Sequence, residues 1–254
     1  MGRFWNKRIV CLLWLFFASI ICYAQEDLPT ISADRPGALT GADIMPQRKI
    51  QWETGAAYEA VIGEYRNFTL NNTLLRYGLF RNFELRVGAD LIYDNDMEPT
   101  VGIGPLCVGF KARFYEGERF LPSIALLAQL NSRRIGTKSL LSERHDSSVL
   151  LLFEHSLSDR FGIGYNIGVE WDGQNVSPAA FLGIGAYLDI TERIGTFIEG
   201  YNYLHPDRDN QYLTEFGFTC LVSRRVQLDF ATDLDLLHLN SYHVLSIGVS
   251  WLIN

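Results

Sequence analysis

From Lys49 to Asn254 the chain is a repeated pulse of about a dozen strand-like segments, read from hydrophobic periodicity, and the links between them alternate in length. Short turns fall at Phe80-Arg81-Asn82, Glu116-Gly117-Glu118-Arg119, Ser158-Asp159-Arg160, Thr191-Glu192 and Ser223-Arg224. Longer polar links fall between them, at Val61 to Arg66, Asp94 to Pro99, Ser132 to Arg144, Asp172 to Ser177 and Leu204 to Asn210, with a shorter break at His238 to Ser241. Short turns at one end and long loops at the other are the pattern of an up-and-down β-barrel in an outer membrane.

The ends of the chain fit that compartment. Arg3, Lys7 and Arg8 form a basic start, Ile9 to Ile21 is an apolar run, and Cys22-Tyr23-Ala24 offers small residues where a signal peptidase reads. The run is too short to span a bilayer as a helix, so residues 1–24 read as a signal peptide cleaved after Ala24. A lipoprotein signal with Cys22 acylated is the competing reading, but Ile20 and Ile21 are bulky where small residues are required. Removing the segment lowers 22 Lys+Arg to 19 against 29 Asp+Glu, a formal charge of −10. That balance argues against a nucleic-acid partner. Cys107 and Cys220 remain, far apart in strand order and on different faces, which argues against a structural disulfide.

Alternation assigns the faces, because residues i and i+2 of a strand share one. Phe83, Leu85, Val87, Ala89, Leu91 and Tyr93 oppose Glu84, Arg86, Gly88 and Asp90. Val226, Leu228, Phe230 and Leu234 oppose Gln227, Asp229, Asp233 and Asp235. A soluble β-sandwich alternates too. Three features favour the membrane barrel: segments long enough to cross a bilayer, the export signal, and aromatics near segment ends, where barrels carry girdles. Tyr77, Phe83, Phe114, Phe120, Phe161 and Tyr187 flank the short turns, and Tyr93, Trp171, Tyr203 and Tyr212 the long links. The expected strands are 48–60, 67–79, 83–93, 100–115, 120–131, 145–157, 161–171, 178–190, 193–203, 211–222, 225–236 and 241–253. The even count puts both chain ends with the short turns, on the periplasmic side. The expected organisation is a signal peptide (1–24), an extended segment (25–47), which hangs in the periplasm or folds into the lumen, and a barrel (48–254) surrounded by outer-membrane lipid.

Leu74-Leu75-Arg76-Tyr77-Gly78-Leu79 followed by Phe83-Glu84-Leu85-Arg86 resembles the outer-membrane β-barrel transporters labelled for the MetA pathway of phenol degradation. Asp34-Arg35-Pro36-Gly37, Gly109-Phe110-Lys111 and the closing Gly248-Val249-Ser250-Trp251 are similar as well. The resemblance implies a barrel and a porin-like transport role for small or aromatic solutes. The ending departs from the common outer-membrane pattern, because Asn254 stands where an aromatic is typical and Trp251 is the nearest one.

The polar faces carry the candidate site. Arg76, Glu84, Arg86, Lys111 and Arg113 come from strands two to four, and Glu199, Glu215, Asp229, Asp233 and Asp235 from strands nine to eleven. In a closed barrel these arcs lie across the lumen. Opposed walls of charge would orient dipolar solutes in a narrow pore. Alternatively the charges neutralise one another and plug the lumen, with Glu84 between Arg76 and Arg86, and Glu53 nearby. His145-Asp146-Ser147-Ser148 gathers nucleophilic residue types, which leaves a barrel-borne lipid-modifying enzyme as a reading from another class; adjacent strand residues face opposite ways, so sequence proximity makes no triad. Asp94-Asn95-Asp96-Met97-Glu98 and His205-Pro206-Asp207-Arg208-Asp209-Asn210 lack calcium-loop spacing. Neither a cofactor nor a metal is expected.

Overall fold

The computed structural model describes residues 30–61, 65–94, 98–118, 120–237 and 242–253. The expected signal peptide, Arg119, the break at 238–241 and Asn254 lie outside the described residues. Among the described residues, alternating sequence from Ile50 onward forms thirteen strands. They are β1 (Ile50–Val61), β2 (Tyr65–Phe80), β3 (Phe83–Tyr93), β4 (Val101–Ile103), β5 (Cys107–Tyr115), β6 (Ser123–Asn131), β7 (Asp146–Ser156), β8 (Phe161–Asp172), β9 (Ala179–Asp189), β10 (Ile194–Leu204), β11 (Gln211–Ser223), β12 (Val226–Asp235) and β13 (Tyr242–Leu252). Because β4 and β5 share one stave beside β3, the wall has twelve staves. All neighbours are antiparallel, and β1 pairs with both β2 and β13, with Trp52 opposite Trp251 and Gly55 opposite Gly248. This seam closes the sheet, so no long edge is left with unpaired amides.

The exposure pattern decides between sandwich and membrane barrel. Ile184 and Ile247 are each 61% exposed, and Ile198 is 59% exposed, on the outer face. The inward residues of the same barrel include Lys111 and Glu53 at 0% and Arg76 at 1%. A soluble protein of this sequence would be inside out. An outward belt of this kind matches lipid, and an Arg or Lys placed there would cost about 2–4 kcal/mol at mid-depth. The chain is an all-β transmembrane barrel of outer-membrane type.

Three expectations need correction. The fourth strand, 100–115, is interrupted at residues 104–106. Pro105 has no N–H to give a ladder, and the link after β6 takes over the local pairing: Leu106 donates its N–H to Ile135 O at 3.0 Å, and Thr137 donates to Ile103 O at 2.7 Å. Tyr187 and Tyr203 are not girdle residues. They share the inward phase of Phe181 and Glu199, and the Tyr187 hydroxyl donates to Glu199 Oε1 at 2.8 Å. The inner face is also not polar throughout, since Ala125, Leu127, Leu150, Leu152, Phe181 and Leu213 point inward and are buried.

Two measurements check this fold. Unheated protein in detergent should migrate differently from boiled protein on a gel and fractionate with outer membrane, because the closed ladder resists detergent. An epitope tag at Thr137 or Asp207 should be reached on intact cells, and one at Ser158 or Ser223 should not.

Candidate functional site

Residues 30–48 fold into the lumen from the end that carries the short turns. Ile31 donates its backbone N–H to Arg224 O at 2.9 Å in the β11–β12 turn. The segment rises to Leu39, returns to Met45, and turns into β1 through Arg48, which sits at φ 65°. Gln47 makes a parallel bridge to Gly78 on β2.

This backbone is irregular, so its buried amides need partners outside any ladder. The barrel wall supplies them as side chains. Ala38 N–H donates to Glu215 Oε2 at 2.8 Å, Leu39 to Glu199 Oε2 at 2.9 Å, Ala42 to Glu154 Oε2 at 2.8 Å and Met45 to Glu84 Oε2 at 2.8 Å. Thr40 N–H donates to Asn166 Oδ1 at 2.8 Å, and Asn166 Nδ2 returns a bond to Thr40 O at 3.0 Å. Glu53 receives the amides of both Asp34 and Arg35, at 3.3 and 3.2 Å. The wall carboxylates thus act as side-chain substitutes for a neighbouring strand.

The basic arc is neutralised where it stands. Arg76 clamps Glu84 through Nε and Nη2, both at 3.0 Å, and reaches Glu53 Oε1 at 2.9 Å and Ser32 O at 2.9 Å through Nη1. Arg86 bonds Glu84 Oε1 at 3.0 Å and also Asp34. Lys111 Nζ donates to Asp34 Oδ1 at 2.9 Å, Gly41 O at 2.9 Å and Asp43 O at 3.0 Å. Three cations meet three carboxylates, Asp34, Glu53 and Glu84, with good geometry; only such pairing makes burial of charge tolerable. Burial alone would push the Asp34 carboxyl up, but Arg76, Lys111 and Arg86 outweigh it and hold it well below the usual carboxylate range.

The acidic arc has a different solution. Arg35, next to Asp34 in sequence, points the other way and meets Asp229 Oδ1 at 3.2 Å and Asn72 Oδ1 at 3.4 Å. Gly55 and Gly248, opposite one another at the seam, make the room: a Cβ on either would strike the Arg35 guanidinium. Glu199 and Asp233 are held by tyrosine hydroxyls, Tyr187 and Tyr201, each at 2.8 Å. The segment therefore bridges both arcs, sending Asp34 to one and Arg35 to the other.

Above the segment the lumen becomes apolar. Leu39 and Ala42 sit in a collar of Leu127, Leu150, Leu152, Phe181, Tyr201 and Leu213. Beyond the collar, toward the long links, lies a cavity of about 420 Å³ lined by residues including Cys107, Gln129, Asp146, Glu170, Tyr203 and Arg208. It is a largely polar vestibule, joined to the collar through Tyr203, which lines the cavity and packs against the collar.

All ten candidates stand on the inward-facing phase of their strands. Arg76, Glu84, Arg86 and Lys111 come together in one buried network. Arg113 stands apart, paired with Glu116 at 3.1 Å beside a short turn. Glu199, Glu215 and Asp229 hold the luminal segment, Asp233 bonds Tyr201, and Asp235 accepts from Leu237 N–H at 2.8 Å at the long-link end. In this conformation the arcs do not face one another across an open pore, because the segment fills the space between them. Sequence reasoning missed Asp34, Arg35, Glu154, Asn166 and the collar. The adjacent opposite charges of Asp34-Arg35 inside a stretch of small and apolar residues were the available signal. Of the nucleophilic types at 145–148, Asp146 and Ser148 share the inward phase, Ser147 takes the outward one, and His145 is exposed in the link. Cys107 lines the vestibule and Cys220 is exposed on the outer face; both are free.

The fold recurs among solved structures. An outer membrane channel from Pseudomonas putida F1 superposes with a TM-score of 0.63 at 10% identity, covering 86% of this chain and 99% of that one. The KdgM porin, solved in complex with disordered oligogalacturonate, gives 0.59 at 8% identity, covering 79% and 98%. The NanC porin gives 0.55 at 9% identity, with the same coverage of 79% and 98%. At these identities the likeness establishes the barrel fold alone. No curated protein sequence matches the chain. The sequence pattern of one family matches residues 33–236, from the luminal segment through β12. The chain belongs to the family described by the MetA-pathway of phenol degradation.

Proposed function

We propose that this chain is a passive outer-membrane channel for small solutes, and that the conformation described is its closed one. The observation that carries the reading is the division of the lumen. A vestibule of about 420 Å³ opens toward the long links, while residues 30–48 fill the half beside the short turns. A barrel meant only as a structural wall needs no such chamber, and the vestibule is of the size of small-molecule sites. Tyr203 and Trp171 in the lining suit a small aromatic or amphipathic solute, in line with the family description.

A second reading, a permanently plugged structural barrel, is favoured by one observation: the luminal segment satisfies both charged arcs. Conductance separates the two. In planar bilayers the purified full-length mature protein should show discrete openings, and vesicles containing it should swell in a pentose faster than in a disaccharide of the same concentration, while protein-free vesicles swell in neither. Folded protein with no openings and no solute-dependent swelling overturns the channel reading.

Ion preference gives a further test. With residues 30–48 displaced, Glu154, Glu199 and Glu215 lose their amide donors, whereas Arg76 and Arg86 keep Glu84 and Glu53. The open path is therefore net acidic. Reversal potentials across a salt gradient should favour cations, and Asp229→Asn with Asp233→Asn should move the permeability ratio toward unity. High salt should do the same by screening charges in a wet lumen. An anion preference would overturn this assignment of the walls.

A further inference from the structure

We propose that residues 30–48 are a displaceable gate and that Lys111 is its latch, an inference that rests on the channel reading above. The segment is held differently from the barrel. The wall is a continuous antiparallel ladder, sealed by eleven register pairs between β1 and β13. The segment's ties to it are mostly single side-chain bonds, and each can be exchanged for water once the lumen wets. Removing the segment breaks no stave.

Lys111 is placed to control that exchange. Its ammonium serves the segment almost wholly: Asp34 Oδ1 at 2.9 Å and Oδ2 at 3.1 Å, Gly41 O at 2.9 Å and Asp43 O at 3.0 Å. The nearest wall carboxylate oxygen, on Glu84, is 4.0 Å away. Asp34 lies in the rising limb, and Gly41 and Asp43 in the returning one, so a single cation ties both limbs to β5. Arg76 has the opposite character. Its bonds go chiefly to Glu84 and Glu53, which stay with the wall when the segment leaves.

The other parts of a gate are present. Leu39 is the seal, buried in an apolar collar against which Tyr203 of the vestibule packs. Arg48, at φ 65°, is the hinge between segment and β1. A cavity of about 180 Å³ lies between the segment and the wall beside Gly164, Tyr187, Phe197 and Thr219, which leaves room for the hairpin to shift. Withdrawal toward the short-turn end would join this space to the vestibule.

The test locks the gate and then loosens the latch. The Leu39 Cγ position, which a cysteine sulfur would occupy, lies 3.2 Å from a Cβ built on Gly183, within reach of a disulfide. In a Cys107→Ser, Cys220→Ser background, Leu39→Cys with Gly183→Cys should be silent in planar bilayers when oxidised and should open on reduction. Lys111→Met should raise the open fraction of the reduced protein at least about tenfold, since each charge-assisted bond lost is worth about that factor and water replaces part of the set. Asp34→Asn should act in the same direction. Lys111→Met combined with the oxidised pair should remain silent. Folding of each variant is read from its heat-dependent gel mobility. Equal current from oxidised and reduced protein overturns the gate but leaves the channel standing. Folded Lys111→Met and Asp34→Asn with unchanged open fractions overturn the latch. Silence of every folded variant, reduced as well as oxidised, overturns the channel reading itself and the gate with it.

Discussion

A buried backbone amide must find an acceptor, and that requirement organises this molecule at two levels. In the wall it is met by strand against strand, and in a bilayer it can be met only if the ladder closes. The β1–β13 seam closes it. Inside the lumen the chain has no strand beside it, and wall carboxylates take the place of carbonyl oxygens. Glu84, Glu154, Glu199 and Glu215 each receive an amide of the luminal segment at 2.8 to 2.9 Å. Four acids that look like a charged pore lining are, in this conformation, acceptors for another part of the same chain.

The ionic layer follows from that use. Arg76, Arg86 and Lys111, buried beside the segment, need anions, and Glu84 serves both an amide and these cations. Glu84, Glu53 and Asp34 provide them. The bidentate Arg76–Glu84 pair lies wholly within the wall, whereas the Lys111 cage is built from segment oxygens. The lumen thus combines a permanent ionic framework with a conditional one. The apolar collar adds a third kind of contact, insensitive to charge, at the level where the segment turns back.

Much of the wall was legible in the sequence because a barrel obeys a simple period. Phe83 to Leu91 alternates without a break, and its faces are placed accordingly. The places where reading failed are those where a second partner intervened. Pro105 breaks the fourth stave because the long link after β6 docks against it. Leu150-Leu151-Leu152 is apolar on both faces because one face meets lipid and the other meets Leu39, and periodicity cannot reveal a partner that comes from a distant segment. The position of residues 30–48 was open for the same reason. Asp34 and Arg35 are neighbours in sequence, yet their partners lie 52 and 194 residues away, on Arg86 and Asp229.

The luminal segment precedes β1, the strand that seals the barrel against β13. Its partners are drawn from β1, β2, β3, β5, β7, β8, β10, β11 and β12, nearly the whole circumference. It cannot collect all of them until the last strand has been synthesised and the first has met it. The segment's full set of bonds is therefore a property of the assembled wall and of no part of it: a missing or misregistered stave removes an acceptor that one of its buried amides requires.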